Sequence, residues 1–213
     1  MKLYGPLYSA FVERVRIGLA YKKVDYEHTQ FPKGGLRGPE FQALNPIGRI
    51  PVLILDDGTA ISESETILLY LDETYPEPPL LPSKLRERIG ERTIIRIVDN
   101  YLTPATENLY PFRSTAVPDT TALSAAAQQV VKVLKLLDQI VDPNRLQSSE
   151  TVSLADCVMF PSLFLVELIA SQLSLGNLFD CADNLTQYFL RGKKHTLLGR
   201  IYDEAWANVP QPK

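Results

Sequence analysis

Four prolines fall within the seven residues Pro76–Pro82. Proline fixes φ and has no amide hydrogen, so this stretch is neither helix interior nor central strand. It reads as an extended connection and cuts the chain into two unequal parts. The 213 residues suit such a division, being long for one small core and ample for two. The implied units are residues 1–76, a linker at 77–83, and residues 84–213.

Charge follows the same division. Residues 1–82 carry 8 basic and 11 acidic side chains, and residues 83–213 carry 14 of each. The net charge of −3 therefore sits in the first part, and the basic surplus of a nucleic-acid binder is missing. Apolar residues at 45% supply enough core to exclude wholesale disorder. Cys157 and Cys181 stand far apart, with no CxxC and no Cys/His zinc spacing, so neither a disulfide scaffold nor a metal site is expected. Gly5-Pro6 interrupts any apolar leader. Val158 to Ala170 contains Pro161 and Glu167 and falls short of the ~20 residues of a spanning helix. No membrane span and a cytoplasmic protein are the expectation.

The first part alternates in period. Lys2 to Tyr4 suits an opening strand. Phe11 to Lys23 has Val12, Val15 and Leu19 with Arg14, Arg16, Lys22 and Lys23 between them, which suits an amphipathic helix. Tyr26 to Thr29 suits a strand, Pro39 to Leu44 a short helix, and Val52 to Leu55 a buried strand. Asp56-Asp57-Gly58 predicts a hairpin turn returning through Thr59-Ala60-Ile61. Ser62-x-x-Glu65 has the form of a capping box for a helix over Thr66 to Thr74. The order is βαβαββα, with a right-handed crossover between the first two strands.

The second part is all-helical. Lys84 to Tyr101, Ala122 to Val141, Ser153 to Leu173 and Leu185 to Leu190 carry the clear helical periods. Ser153 and Asp156 suit an N-terminus, and Pro161 predicts a bend inside the helix that follows.

Three features of the first part bear on chemistry. Ser9 stands at a helix N-terminus, where free amides and the helix dipole favour an anion; Ser is equally a common N-cap. A thiolate brought there would gain, with a pKa below the ~8.5 of a free thiol. In Asn45-Pro-Ile-Gly-Arg49-Ile50-Pro51, a cis Ile50-Pro51 bond would leave the Ile50 backbone free to pair with a short peptide; a trans bond would merely open a strand. Glu63 and Ser64 stand where a ligand ammonium and carboxylate could be held, beside residues that also suit capping. Together these are the requirements of a small peptide carrying a thiol.

With these residues the sequence resembles the cytosolic glutathione transferases, of the serine type found in tau- and zeta-like classes. The resemblance rests on Ser9-Ala-Phe-Val-Glu-Arg14-Val-Arg16-Ile-Gly-Leu19, on Asn45 to Leu53, on Glu63-Ser64-Glu-Thr-Ile, and on Ser153-Leu-Ala-Asp156. It implies a thioredoxin-like domain followed by an all-helical domain, an α/β plus all-α architecture, usually in a homodimer. It implies that Ser9 donates a hydrogen bond to the glutathione thiolate. It implies that Ile50, before Pro51, pairs with the cysteinyl part, that Glu63 and Ser64 hold the γ-glutamyl end, and that Arg49 lies near the glycyl carboxylate. Phe41, Gln42 and Lys33 border that end as further candidates. By family geometry the electrophile meets Phe11, Tyr101, Tyr110 and Arg113 between the domains, with Leu109, Phe112 and Trp206 nearby.

Several departures narrow the reading. The zeta-class Ser-Ser-Cys run, tied to maleylacetoacetate isomerisation, stands here as Ser9-Ala10-Phe11, which argues against that isomerase. Tyr4 and Tyr8 are rival hydroxyls. Cysteine is absent before residue 157, so thiol–disulfide exchange through a protein thiol is not expected. The expected activity is attack of the glutathione thiolate on a hydrophobic electrophile, with glutathione as co-substrate and no metal. The alternatives are a non-catalytic binding protein and a glutathione-dependent isomerase, peroxidase or ether-cleaving enzyme.

Overall fold

The computed structural model describes residues 1–30, 34–114, 119–147 and 151–210. The first part is a four-stranded mixed sheet with helices, of order β2-β1-β3-β4. β1 (Lys2–Tyr4) runs parallel to β2 (Glu27–Thr29) and is joined to it by α1 (Ala10–Tyr21). α2 (Pro39–Leu44) then leads to β3 (Val52–Ile54), which pairs antiparallel with β1, Leu3 facing Leu53. The hairpin forms as expected and delivers β4 (Ala60–Ser62), with Leu53 facing Ile61. Gly58 adopts φ 89° at its tip. α3 (Ser64–Thr74) closes the unit.

One core joins sheet and helices through Leu3, Val12, Val15, Leu19, Leu53, Ile67 and Leu71. α1 departs from the amphipathic reading. Glu13, Arg14 and Arg16 are buried along with its apolar residues, and Lys22 just beyond it is buried too. The reason is that the second part covers the face that a lone thioredoxin-like unit would leave in water. Each cation has a counterion: Arg14 has Asp99 and Arg16 has Glu204, both from the second part, and Lys22 has Asp72 of α3; Glu13 is hydrogen-bonded to Arg16.

The capping box expected at Ser62 and Glu65 does not form. Ser62 is the last residue of β4, opposite Val52, and Glu65 pairs with Arg96 instead. The helix begins earlier, with Glu63 as its N-cap at φ 67°, ψ 115° and no side-chain cap bond.

The second part is helical: α4 (Leu85–Ile97), a π-helical turn (Val98–Leu102), α5 (Thr103–Glu107), α6 (Thr120–Ile140), α7 (Leu154–Gln172), α8 (Asp183–Lys194) and α9 (Thr196–Ala207). α7 runs unbroken through Pro161. It is long and apolar enough to cross a membrane by length and composition, but 83% of that window is buried inside the protein, so it is the core helix. At its start Ser153 and Asp156 form a complete capping box, tied by Arg145 to Glu91 on α4. α9 lacks an obvious sequence signal: its N-cap is His195, whose Nδ1 accepts from Leu197 and Leu198 amides at 3.2 and 3.4 Å.

The proline stretch is docked rather than free. Leu80 is buried in the helical core, its carbonyl accepts from Leu154 N at 2.8 Å, and its amide donates to Asp72 at 2.8 Å. Lys22 Nζ holds the carbonyls of Tyr75 and Pro78 at 2.5 and 2.9 Å. Burying such a leucine is worth about 1.5–3 kcal/mol, which fixes the two parts against each other.

Candidate active site

Ser9 is the N-cap of α1, at φ −82° and ψ 117°, and its side chain makes no cap bond. Its amide donates to Pro6 O and its carbonyl accepts from Glu13 N. Among the described residues the hydroxyl has no partner. The backbone therefore performs the capping, and the hydroxyl remains available beside the positive end of the helix. Gly5 permits the approach. It sits at φ 137°, and a Cβ there would lie 2.3 Å from Val12 and 3.4 Å from Ile50.

A cavity of ≈ 370 Å³ opens on this point. Ser9, Phe11 and Ile50 line it together with Tyr110 and Arg113. The Ile50-Pro51 peptide is cis, and neither the amide nor the carbonyl of Ile50 has a partner among the described residues. A narrow slot of ≈ 60 Å³ continues past Pro51 to Arg49, Glu63 and Ser64. Those three also line an outer cavity of ≈ 450 Å³ that reaches Arg96 and Asp99. Phe11 lines all three spaces, so they adjoin one another around its ring.

Arg14 and Asp99 both line the outer cavity and brace it. Arg14 donates to Asp99 at 2.7 Å and to Ser162 Oγ at 3.0 Å, and its guanidinium lies 4.5 Å from the Phe11 ring centroid. Burial pushes the Arg14 pKa down, and Asp99 opposes that shift. Burial also pushes the Tyr110 phenol up, so at neutral pH it meets the cavity as a hydroxyl. Arg113 lies 5.9 Å from the Tyr110 ring centroid.

Not every expected residue arrives. Tyr101 is 58% exposed and lines none of these spaces. Val98 and Leu102 take the inward positions of the π turn, which leaves Tyr101 on the outer face. Trp206 packs edge-on to Phe164 in the helical core, and Phe112 is likewise not among the lining residues. Leu109 and Phe41 are fully buried core residues, Phe41 packing against Tyr4. Lys33 lies outside the described residues, as do positions 115–118 of the proline-rich stretch after Tyr101.

Other lining residues escaped the sequence reading. Leu165, Leu168, Ile169 and Gln172 of α7 also line the Ser9 cavity, with Val209 and Pro210 after α9. Their spacing of three and four is one helical face, a signal present in the sequence but pointing equally to core. Tyr8 also lines the cavity, whereas Tyr4 does not. Cys157 is buried, and burial pushes its thiol well above the ordinary range. Among the described residues no group of three or more His, Cys, Asp or Glu side chains converges to hold a metal.

Residues 3–79 match the family described as glutathione S-transferase, N-terminal domain. Glutathione S-transferase 1 of Dianthus caryophyllus is 32% identical over 175 residues, covering 76% of each chain. The chain belongs to the glutathione S-transferase family. Glutathione S-transferase Z1 of Arabidopsis thaliana is 41% identical over 106 residues, 49% of this chain and 48% of that one. The match thus spans about half the length of such relatives. Among solved structures, maleyl pyruvate isomerase, described as a bacterial glutathione S-transferase of the zeta class, superposes with a TM-score of 0.77. It is 27% identical, with 100% of this chain and 99% of that one covered. The spaces described above are lined largely by the part of the chain that the family's N-terminal domain model matches, and residues of the helical part complete their lining.

Proposed function

We propose that the protein activates glutathione as a thiolate for attack on an apolar electrophile. The carrying observation is the uncommitted Ser9 hydroxyl at the start of α1, in a cavity shared with Ile50 and Phe11. A hydroxyl hydrogen bond, the helix dipole and proximity suffice for such chemistry. The thiol would sit at Ser9, the cysteinyl backbone against Ile50 beside Pro51, the γ-glutamyl end at Glu63 and Ser64, and a carboxylate near Arg49. The electrophile would occupy the apolar cavity against Leu165, Leu168 and Tyr110, with Arg113 at its rim.

Ser9→Ala tests this directly. Turnover with an aromatic halide should fall about 100-fold, with glutathione KM changed far less, as when one transition-state donor is removed. Tyr8→Phe separates the rival hydroxyl and should leave turnover within about threefold. Equal activity of Ser9→Ala and wild type removes Ser9 from the mechanism.

A second reading, glutathione-dependent isomerisation, is favoured by the full-length likeness to maleyl pyruvate isomerase. Ala10 and Phe11 stand against it. Product analysis decides: transfer consumes glutathione, and isomerisation returns it.

A cytosolic homodimer completes the proposal. Leu85 and Ile89 are 70% and 56% exposed on one face of α4, beside the exposed Arg92. An apolar and basic stripe of this kind complements the acidic first part of a second copy.

A further inference from the structure

α1 and α9 come from opposite ends of the chain and pack together. Their contact holds charged groups that the proposed reaction does not use. Glu13 lies one turn after Ser9, and its side chain is 2% exposed. Its Oε1 accepts from Arg16 Nη1 at 2.8 Å, and its Oε2 has no partner. Arg16 also donates Nε to Tyr26 OH at 3.2 Å and Nη2 to Glu204 Oε2. One buried guanidinium thus donates to the Glu13 carboxyl group on its own helix and to the Glu204 carboxylate on α9. A planar fork of donors can do this, and a lysine ammonium could not hold the same orientation.

The position of Glu204 gives the contact its meaning. It stands in the last turn of α9, immediately before the segment in which Val209 and Pro210 wall the Ser9 cavity. Asn208 and Val209 continue the helix with short-range bonds to Ala205 O and Trp206 O, at 3.1 and 3.2 Å. Among the described residues the one further local bond there is Asn208 Nδ2 to Glu204 O at 2.8 Å, so the segment is tied back to the last turn of α9. Its placement relative to Ser9 depends on where the end of α9 is held.

We propose that Arg16, held by Glu13, clamps α9 through Glu204 and so sets the distance between Ser9 and the Val209–Pro210 wall. Neither Arg16 nor Glu204 lines the cavity, so both are positioning residues that tune the fit of the electrophile. The kinetic half of this inference rests on the glutathione-transfer reading. The conformational half does not.

Trp206 is the only tryptophan in the chain and lies two residues after Glu204, 5.6 Å from the Phe164 ring centroid. Its fluorescence therefore reports the end of α9. In Glu204→Ala, acrylamide quenching of Trp206 should rise about twofold as the last turn opens locally. The KM for the electrophile should rise roughly three- to tenfold, with the glutathione KM within about twofold. Asp203→Ala, an exposed neighbour on the same helix, should change neither quantity. If Glu204→Ala does not fold, Glu204→Gln keeps an acceptor for Nη2 and should show the same pattern at smaller amplitude. Unchanged quenching in the Glu204 variant, or an equal rise in Asp203→Ala, overturns the clamp. A looser Trp206 with an unchanged electrophile KM overturns its role at the cavity. A wild type that conjugates no electrophile removes the transfer reading instead, and the quenching comparison then decides the clamp alone.

Discussion

Arg14 and Asp99 meet at 2.7 Å, although 85 residues of chain separate them. The first lies on the helix that starts at Ser9, and the second on the π turn of the helical part. Arg14 is 2% exposed, so its charge depends on that carboxylate.

Asp99→Ala should therefore destabilise the protein by about 3–5 kcal/mol, the cost of leaving a buried charge without its counterion. Ser162 still accepts from Arg14 in the variant and holds the loss to the lower end. Asp99→Asn keeps an acceptor and should lose less. Urea unfolding measures both, and an Asp99→Ala midpoint equal to wild type contradicts the assignment.

Glu63 is predicted to oppose stability and binding to each other. Its φ of 67° with ψ of 115° lies outside the regions comfortable for an L-residue, at a cost of roughly 1–3 kcal/mol. Glu63→Gly should raise stability by about 1 kcal/mol while lowering glutathione affinity about tenfold or more. Glu63→Ala should lose the affinity without the gain in stability, because alanine meets the same backbone restriction. Calorimetric binding and thermal unfolding of the two variants check the pair of signs.

Glu13 gives a pH dependence. Burial pushes its carboxyl up to about 8, against the pull of Arg16 and with the repulsion of Glu204. The unfolded chain releases this proton near 4.5, the ordinary value, while the native state keeps it to about 8. Fewer protons are then bound by the unfolded state across that window, so stability falls as pH rises from about 4.5 to about 8 and levels off above. Glu13→Gln retains an acceptor for Arg16 and does not titrate. Its stability relative to wild type should improve steadily between pH 5 and pH 8, followed by urea midpoints. Parallel curves for the two proteins would refute the shift.

Asp156 is the most heavily used carboxylate at the start of α7. It accepts from Ser153 N at 2.9 Å, Ser153 Oγ at 2.8 Å, Arg145 Nε at 2.6 Å and Tyr188 OH at 3.1 Å. Asp156→Ala should cost about 3–5 kcal/mol, because it strips the reciprocal half of the capping box and half the compensation of Arg145. At roughly 2–4 °C per kcal/mol for a chain of this size, Tm should drop by about 6–20 °C. Ser153→Ala, which removes one cap acceptor, should cost about 1 kcal/mol.

Local chemistry made much of this protein legible in its sequence. The proline stretch, the Asp57-Gly58 turn, the helical periods and the Ser153/Asp156 box each act over a few residues, and each appears where its pattern stands. The same logic failed at Ser62 and Glu65, because a ladder bond to β3 and an ion pair with Arg96 outcompeted a local cap. It missed α9, since histidine is not among the usual capping residues.

The sequence by itself determined which residues could form strands and helices, and where a serine, a proline and a Glu-Ser pair would stand along them. Only the tertiary structure decided that the charges of α1 are buried, that Tyr101 and Trp206 stay out of the cavity while α7 and the end of α9 wall it, and that Ser9 keeps its hydroxyl free. The physical reason is that burial, ion pairing and cavity shape depend on what packs against a helix from a hundred or more residues away. No periodicity within the helix records that neighbour.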